Sequence, residues 1–539
     1  MYQDTSDTPH FEIAIVGAGF SGLGMAMALE RAGFDDFVIL ERAEDLGGTW
    51  RDNTYPGCAC DIPSVLYSWT DEQNPRWSRA FAGQQEIWDY MRDVVKRKNL
   101  EPKIRYGHEA LAGSWSEDRS LWELETSGGS LTADFVISGA GGLSDPSIPD
   151  LPGLERFQGK MFHSANWDHN HDLIGRDVAV IGTGASAIQF VPEIQPKVKR
   201  LHVFQRTPPW VLPRENVRIP RRWRKRFERH PRLLRLVRSL VFSLFESFHV
   251  MFRHPPLAAL PELRARRHIA RQVRDPELRK RVTPDYRLGC KRVLGSGDWY
   301  QAICSENVEV ISEGIREITE TGIIDAGGAE HRVDTIIFGT GFHVTDPPMG
   351  HRVKGRDGRT LMEIWQGSPK AHLGMSVPGF PNAFLLLGPN TGLGHNSVLL
   401  IIEAQVKYLI RLLDHCRRNG VRTIEPTPVA LASFVDEIER GTEGSVWTAG
   451  GCLSWYVDKT GRNSTLWPGS VRAYRRRVAR FKPDEFALSK QPRARSRADV
   501  DRTVGRGGVR RQQPEHVTTE SAPDDSGPER TGPPQPVHR

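Results

Sequence analysis

Two short glycine-rich stretches are the residues best placed to do chemistry in this chain. The first reads Gly17-Ala18-Gly19-Phe20-Ser21-Gly22, between an apolar run at Phe11–Val16 and a helical stretch at Met25–Arg31. Glycines in that spacing let backbone amides approach a pyrophosphate, and the helix N-terminus adds free N–H groups and the positive end of its dipole. Glu41 ends the next apolar run, 24 residues after Gly17. A carboxylate there accepts hydrogen bonds from both hydroxyls of an adenosine ribose. The second stretch reads Gly182-Thr183-Gly184-Ala185-Ser186-Ala187, and Arg206 stands 24 residues after Gly182. A base has replaced the acid. A guanidinium suits a 2′-phosphate that a carboxylate would repel, and Thr207 adds a hydroxyl donor.

A chain that binds one adenine cofactor with a free ribose diol and one with a 2′-phosphate is most simply a flavoprotein, with FAD at the first turn and NADPH at the second. NADPH then delivers hydride to the flavin, and the open question is the next acceptor. A disulfide reductase needs a redox cysteine pair beside the flavin, usually C-x-x-C or longer. This chain has Cys58-Ala59-Cys60 and no other pair close in sequence. These thiols read as structural, and with no second pair no metal centre is expected. Dioxygen remains as the common acceptor.

Two further patterns give a family resemblance. Phe157-x-Gly159-x-x-x-His163-x-x-x-Trp167-Asp168 matches the fingerprint of type I Baeyer–Villiger monooxygenases at all five specified positions. A second family pattern is complete in Gly47, Gly48, Trp50, Tyr55, Pro56, Gly57 and Asp61. The chain therefore resembles that family over about residues 10 to 485. The hinge segment Gly339-Thr340-Gly341 departs from it mildly, with Gly in place of Ala.

The resemblance implies a cycle in which NADPH reduces FAD, O2 adds to flavin C4a, and the peroxide attacks a ketone to give an ester or lactone; sulfide sulfur is an alternative acceptor. It implies Arg292, in Cys290-Lys291-Arg292, as the catalytic cation, with Asp61 orienting it and Lys291 reaching the 2′-phosphate beside Arg206. Gly48, Thr49, Trp50, Asp61, Tyr67 and Ala110 are placed at the flavin. His163 is expected to be structural, part of a linker between domains, as are Phe157, Gly159, Trp167 and Asp168. An arginine fits the task because it stays charged at working pH and so stabilises an anion without readily protonating it. Two rivals stay open. One is a flavin-containing monooxygenase acting mainly on nitrogen or sulfur, and the other is a non-catalytic flavin-bearing binding protein.

The elements that must position these groups follow from hydrophobic patterning. Strands are expected at Phe11–Val16, Phe37–Leu40, Leu131–Ser138, Val178–Ile181, Leu201–Phe204, Arg332–Phe338 and Phe384–Leu387, with a helix over Val398–Leu413. The fold class is α/β: two Rossmann-like dinucleotide-binding domains, for FAD and NADPH, with a helical insertion and a disordered C-terminal tail. The expected organisation is FAD-binding over 1–150 and 384–489, NADPH-binding over 151–212 and 285–383, the insertion over 213–284 and the tail over 490–539. The insertion is basic, with eleven Lys and Arg against two Glu between Arg214 and Arg238. Leu233, Leu236, Leu240, Leu244 and Phe248 share one helical face. Packing on the second sheet is the simpler expectation for that face, and monotopic membrane contact is the other.

Composition narrows the classes further. The 539 residues carry a net charge of +7, six cysteines and no collagen-like period. No apolar run approaches the roughly 18 residues that span a bilayer. The polar, acidic start does not look like a secretory signal. Few scattered cysteines argue against a disulfide scaffold and for a reducing compartment, the cytoplasm. No nucleic-acid module is recognisable, so the expected partners are a small ketone or sulfide and O2.

Overall fold

The computed structural model describes residues 8–452 and 454–490. The first seven residues, and the tail after Lys490 that was expected to be disordered, lie outside the described residues. The chain opens as β1 (His10–Val16), α1 (Phe20–Arg31) and β2 (Phe37–Leu40), followed by β3 (Ile104–Arg105) and the strands β4 (Ala110–Ser116), β5 (Leu121–Thr126) and β6 (Gly129–Ser138). β1 pairs in parallel with β2 and β6, while β4, β5 and β6 form an antiparallel meander. Parallel strands covered on both faces must be apolar on both. Ile13 and Ile15 enter the core beneath α1, and Ala14 enters the opposite core with Trp115 and Trp122.

The second sheet is built from β7 (Lys160–His163), β8 (Asp177–Ile181) and β9 (Arg200–Phe204), with α2 (Ala187–Ile194) after the second glycine stretch. The chain then forms β10 (Val211–Pro213) and enters the helical insertion: α3 (Arg221–Arg229), α4 (Pro231–Arg253), α5 (Ala259–Gln272) and α6 (Pro276–Val282). It leaves through β11 (Leu294–Ser296), which pairs in parallel with β10, so the insertion starts and ends at one two-stranded neck. β12 (Val308–Ile311), the antiparallel strands β13 (Ile315–Thr319), β14 (Gly322–Asp325) and β15 (Glu330–Arg332), and β16 (Thr335–Phe338) follow. The second sheet has the order β12-β9-β8-β16-β7, all parallel among the described residues.

The chain is back on the first sheet by β17 (Val353–Lys354), beside β4, well before the return expected at 384. Leu361, Met362 and Trp365 pack into the Trp115 core, and β18 (Ala383–Leu385) joins β6. The helix expected at Val398–Leu413 runs as α7 (Leu399–Asn419), ending at Gly420 in the left-handed conformation. The expected strand at Arg332–Phe338 is split, because Arg332 closes β15 while β16 begins at Thr335.

The insertion packs on the second core as expected only in part. Phe252 at the end of α4, Ala265 and Ile269 of α5 and Val282 of α6 join that core, whereas the middle of α4 lies on the first core, where Val241, Phe242 and Phe245 pack. Its leucine ridge, Leu236, Leu240, Leu244 and Phe248, faces outward. Its buried side chains include two charges, Arg238 and Glu246. Each is matched locally, which is why the polar face can turn inward. Arg238 donates to the Val65 carbonyl at 2.7 Å and to Thr70 Oγ1 at 3.1 Å. Glu246 accepts from the amides of Arg472 at 2.8 Å and Val471 at 3.3 Å, and from Asn396 Nδ2 at 3.3 Å. Burial pulls the Glu246 carboxyl up, but His395 and these amides outweigh it and push it down to about 2. Removing the carboxylate leaves inward donors unmatched. Glu246→Ala should therefore lower stability by roughly 2–4 kcal/mol, read as a drop in the urea midpoint; an unchanged midpoint would refute the role given to this network.

Candidate active site

The two glycine stretches are built alike. Gly17 and Gly182 both adopt positive φ, +96° and +104°. A Cβ on Gly17 would lie 2.9 Å from the Gly139 carbonyl oxygen, and one on Gly182 would lie 2.5 Å from the Gly339 carbonyl oxygen. Each turn is thus pressed onto the glycine that follows a neighbouring parallel strand, β6 or β16. Gly22 closes the first turn, since a Cβ there would meet the Gly17 carbonyl oxygen at 1.9 Å. Gly19 is different: a Cβ there would meet nothing within 4 Å, so this part of the turn faces open space. Neither α1 nor α2 has a side-chain cap. The first-turn amides, including those of Phe20 and Ser21 at one turn and Ala187 at the other, are those an anion would take. Both turns fit a dinucleotide.

Glu41 is buried at the end of β2. Its carboxylate accepts from the Ala18 amide at 2.8 Å and from Arg51 Nη1 at 2.7 Å. Gly47 donates its amide to the Ala18 carbonyl at 2.9 Å, so Gly48 leans over Gly19. At the second turn Arg206 is exposed, and its charge together with burial draws the Lys291 ammonium below its ordinary value, burial being the larger cause. Among the described residues neither cation has an ion-pair partner within 4 Å. Two neighbouring cations without a close ion-pair partner fit a phosphate.

A cleft of about 1050 Å³ reaches the second turn and its two cations. Thr49, Trp50, Asp61, Tyr67, Ala110, Gly182, Thr183, Gly184, Ala185, Ser186, Arg206, Thr207, Lys291 and Arg292 line it. Gly17, Gly19, Phe20, Ser21, Gly22, Glu41, Gly48 and Ala187 lie outside its lining. In the cleft Arg292 Nε donates to Asp61 Oδ2 at 2.7 Å, and Nη2 lies 2.6 Å from the same oxygen. Both side chains keep part of their surface open, 30% for Arg292 and 27% for Asp61. The Asp61 charge raises the guanidinium above its ordinary range despite burial. Trp50 Nε1 donates to the Tyr67 hydroxyl at 3.1 Å, and burial raises that phenol.

Cys58 and Cys60 are both free, and burial pushes the Cys58 thiol up to about 12 and Cys60 well above its ordinary value. Thiols held so firmly protonated are poor nucleophiles, unlike those of a redox pair. Away from the cleft, His202, Glu309 and His331 bring ligand atoms within 4.8 Å of one another, with Asp325 hydrogen-bonded to His331.

Two features escape sequence patterning. Cys290 and Cys452, 162 residues apart, form a disulfide with a Cα–Cα distance of 6.1 Å, a single link that the scattered cysteines, read only as arguing against a disulfide scaffold and for a reducing compartment, had not signalled. It joins the segment of Lys291 and Arg292 to the segment of Trp455 and Tyr456. Tyr456 is fully buried within electrostatic reach of Arg292 and Asp61, and burial raises its phenol. Its only sequence signal is an aromatic pair in a glycine-rich stretch.

The fingerprint residues do not line the cleft. Phe157 is buried, and a Cβ on Gly159 would strike the Phe157 ring at 2.5 Å. Lys160 Nζ pairs with Asp168 at 2.6 Å, and Trp167 stands edge-on to Phe162 at 5.2 Å. Trp167 also contacts Phe190 of α2, whose other side meets Tyr55, so the two sequence patterns meet at one ring. His163 Nδ1 accepts from the Ala165 amide at 3.1 Å, and burial pushes the imidazole down to about 4. Its folded value lies below its unfolded one, so the native state binds fewer protons and stability is lost as pH falls from about 6.5 towards 4, by at most about 1.4 kcal/mol per pH unit. His163→Gln should show a shallower fall in melting temperature over that window than the unaltered chain; equal slopes would contradict the assignment.

The family model for pyridine nucleotide-disulphide oxidoreductases matches residues 14–232. A Baeyer-Villiger monooxygenase of Streptomyces coelicolor is 46% identical over 481 residues, covering 89% of this chain and 93% of the relative. One from Pseudomonas aeruginosa is 47% identical over 497 residues, covering 91% and 94%. Among solved structures, cyclohexanone monooxygenase from Rhodococcus sp. Phi1 bound to NADP+ superposes with a TM-score of 0.81 at 27% identity, covering 90% of this chain and 100% of that one. With these relatives, its two glycine turns and the Asp61–Arg292 pair in the cleft, the chain belongs to the Baeyer–Villiger monooxygenase family.

Proposed function

We infer that this chain is an FAD- and NADPH-dependent monooxygenase that inserts one oxygen atom of O2 into a ketone to give an ester or lactone. The observation that carries this is Arg292, fixed by Asp61 in a cleft that also reaches the second glycine turn and its two cations. Bound FAD and NADPH supply the electrons and activate the oxygen. The chain's own residues bind, orient and shield. Gly17–Gly22 and Glu41 hold the first dinucleotide by its pyrophosphate and ribose. Gly182–Ala187 hold the second, with Arg206, Thr207 and Lys291 around its 2′-phosphate.

Arg292 stabilises the negative charge that develops on oxygen during attack on the carbonyl. Its raised proton affinity keeps it a cation that does not surrender its proton. Asp61 takes up Nε and Nη2 and so fixes which face of the guanidinium meets the cleft. Tyr67, Tyr456, Cys58 and Cys60 stay protonated and place no competing anion beside it. The cleft wall is apolar, with Met375, Leu393, Trp455 and Leu466, which suits an apolar ketone and limits water. A sulfide of similar size meets the same wall, and product analysis on a substrate carrying both groups separates the two outcomes. We take the cytoplasm, where NADPH is supplied, as its compartment.

Arg292→Ala should still be bleached by NADPH, while ester formation falls by at least about a hundredfold and hydrogen peroxide takes its place. Ester formation near the unaltered rate would remove Arg292 from the chemistry. Arg206→Ala should raise KM for NADPH about tenfold or more, the worth of one charge-assisted hydrogen bond, and leave KM for NADH nearly unchanged. Equal shifts for both coenzymes would remove Arg206 from 2′-phosphate recognition.

A further inference from the structure

The outward face of the helical insertion has no role in the cleft. Leu236, Leu240, Leu244 and Phe248 recur at every fourth position of α4 and are 56%, 63%, 59% and 40% exposed. α4 has 23 residues, so this ridge runs along a rod about 34 Å long. Nine of the sixteen large exposed apolar side chains among the described residues fall between Trp223 and Leu263. Soluble surfaces seldom concentrate apolar groups in this way without a partner.

Charge identifies the partner. Residues 221–271 carry fourteen Lys and Arg against three Glu, a larger excess than the +7 of the whole chain. All three acids are engaged: Glu228 by Arg76, Glu246 in its buried network, and Glu262 by Arg287. Arg232 and Arg235 are exposed on α4 beside the ridge, and Arg264 and Arg267 are exposed on α5 near Leu260 and Leu263. A symmetric dimer through this face would set the same basic surface against itself with no free acid to answer it. A nucleic acid would answer the charge and leave the leucines in water. An anionic bilayer surface answers both, with acyl chains for the ridge and headgroups for the arginines. Among the described residues no helix is long and apolar enough to cross a membrane, so the contact lies in the interface plane.

We propose that α3, α4 and α5 form a monotopic docking face for anionic lipid, with the α4 ridge entering the headgroup region. The burial of Arg238 and Glu246 against the first core turns the ridge outward, and Arg238 ties α4 to the Val65 carbonyl, between Asp61 and Tyr67 in sequence. The face therefore lies on the outer side of a turn whose end lines the cleft.

The test uses the FAD-loaded full chain and sedimenting vesicles of phosphatidylcholine alone or mixed with phosphatidylglycerol. The chain should pellet with the anionic vesicles, stay in solution with the neutral ones, and lose binding as salt rises. Leu240→Glu/Leu244→Glu alters only exposed positions. It should retain flavin content and NADPH oxidation without vesicles, while its partition onto anionic vesicles falls at least about tenfold. Absence of pelleting with anionic vesicles, or a double variant that pellets like the unaltered chain, overturns the proposal. A dimer that the double variant converts to monomer, without vesicle binding by either, also overturns it and assigns the ridge to self-association.

Discussion

A guanidinium half sunk in protein has to be met by a carboxylate, and here the two come from positions 61 and 292. The carboxylate stands on a loop of the first sheet's half of the chain. The guanidinium stands just before β11, at the neck of the insertion. One ion pair thus joins the two halves where the cleft passes between them. The disulfide from Cys290 to Cys452 and the β10–β11 pair steady the same segment on either side. A cation held in this way needs little rearrangement when negative charge appears next to it, which is the physical content of preorganisation.

Around that pair the chain repeats one idea twice and varies a single charge. Both turns use a positive-φ glycine pressed onto the glycine after a parallel strand, so backbone geometry is shared. What differs is the end of the next strand, a buried acid at Glu41 and an exposed base at Arg206. The family patterns divide labour differently from what their prominence suggests. The residues from Phe157 to Asp168 close on one another and, through Trp167, Phe190 and Tyr55, bind the first half to α2. None of the five fingerprint positions lines the cleft.

The glycine stretches, the strand-end charges and the Lys-Arg pair were legible in sequence because each depends on local spacing. The meander of β4 and β5 was not singled out, since its strands are only half apolar. The early return of the chain at Val353 also escaped, because a two-residue strand leaves no periodicity to read. The insertion misled for a clearer reason. An apolar stripe is normally taken to point inward, and nothing in the order of residues shows that Arg238 and Glu246 will find carbonyl and amide partners from distant loops. The Cys290–Cys452 link and Tyr456 likewise depend on segments that only the folded chain brings together.

The neck of the insertion has an evolutionary consequence. Because roughly eighty residues depart and return through one paired gate, their outward positions can drift, lengthen or acquire new surface chemistry while Arg292 keeps its place. Selection on where such an enzyme resides can then act separately from selection on what it oxidises, provided the two inward charges of α4 keep their hosts.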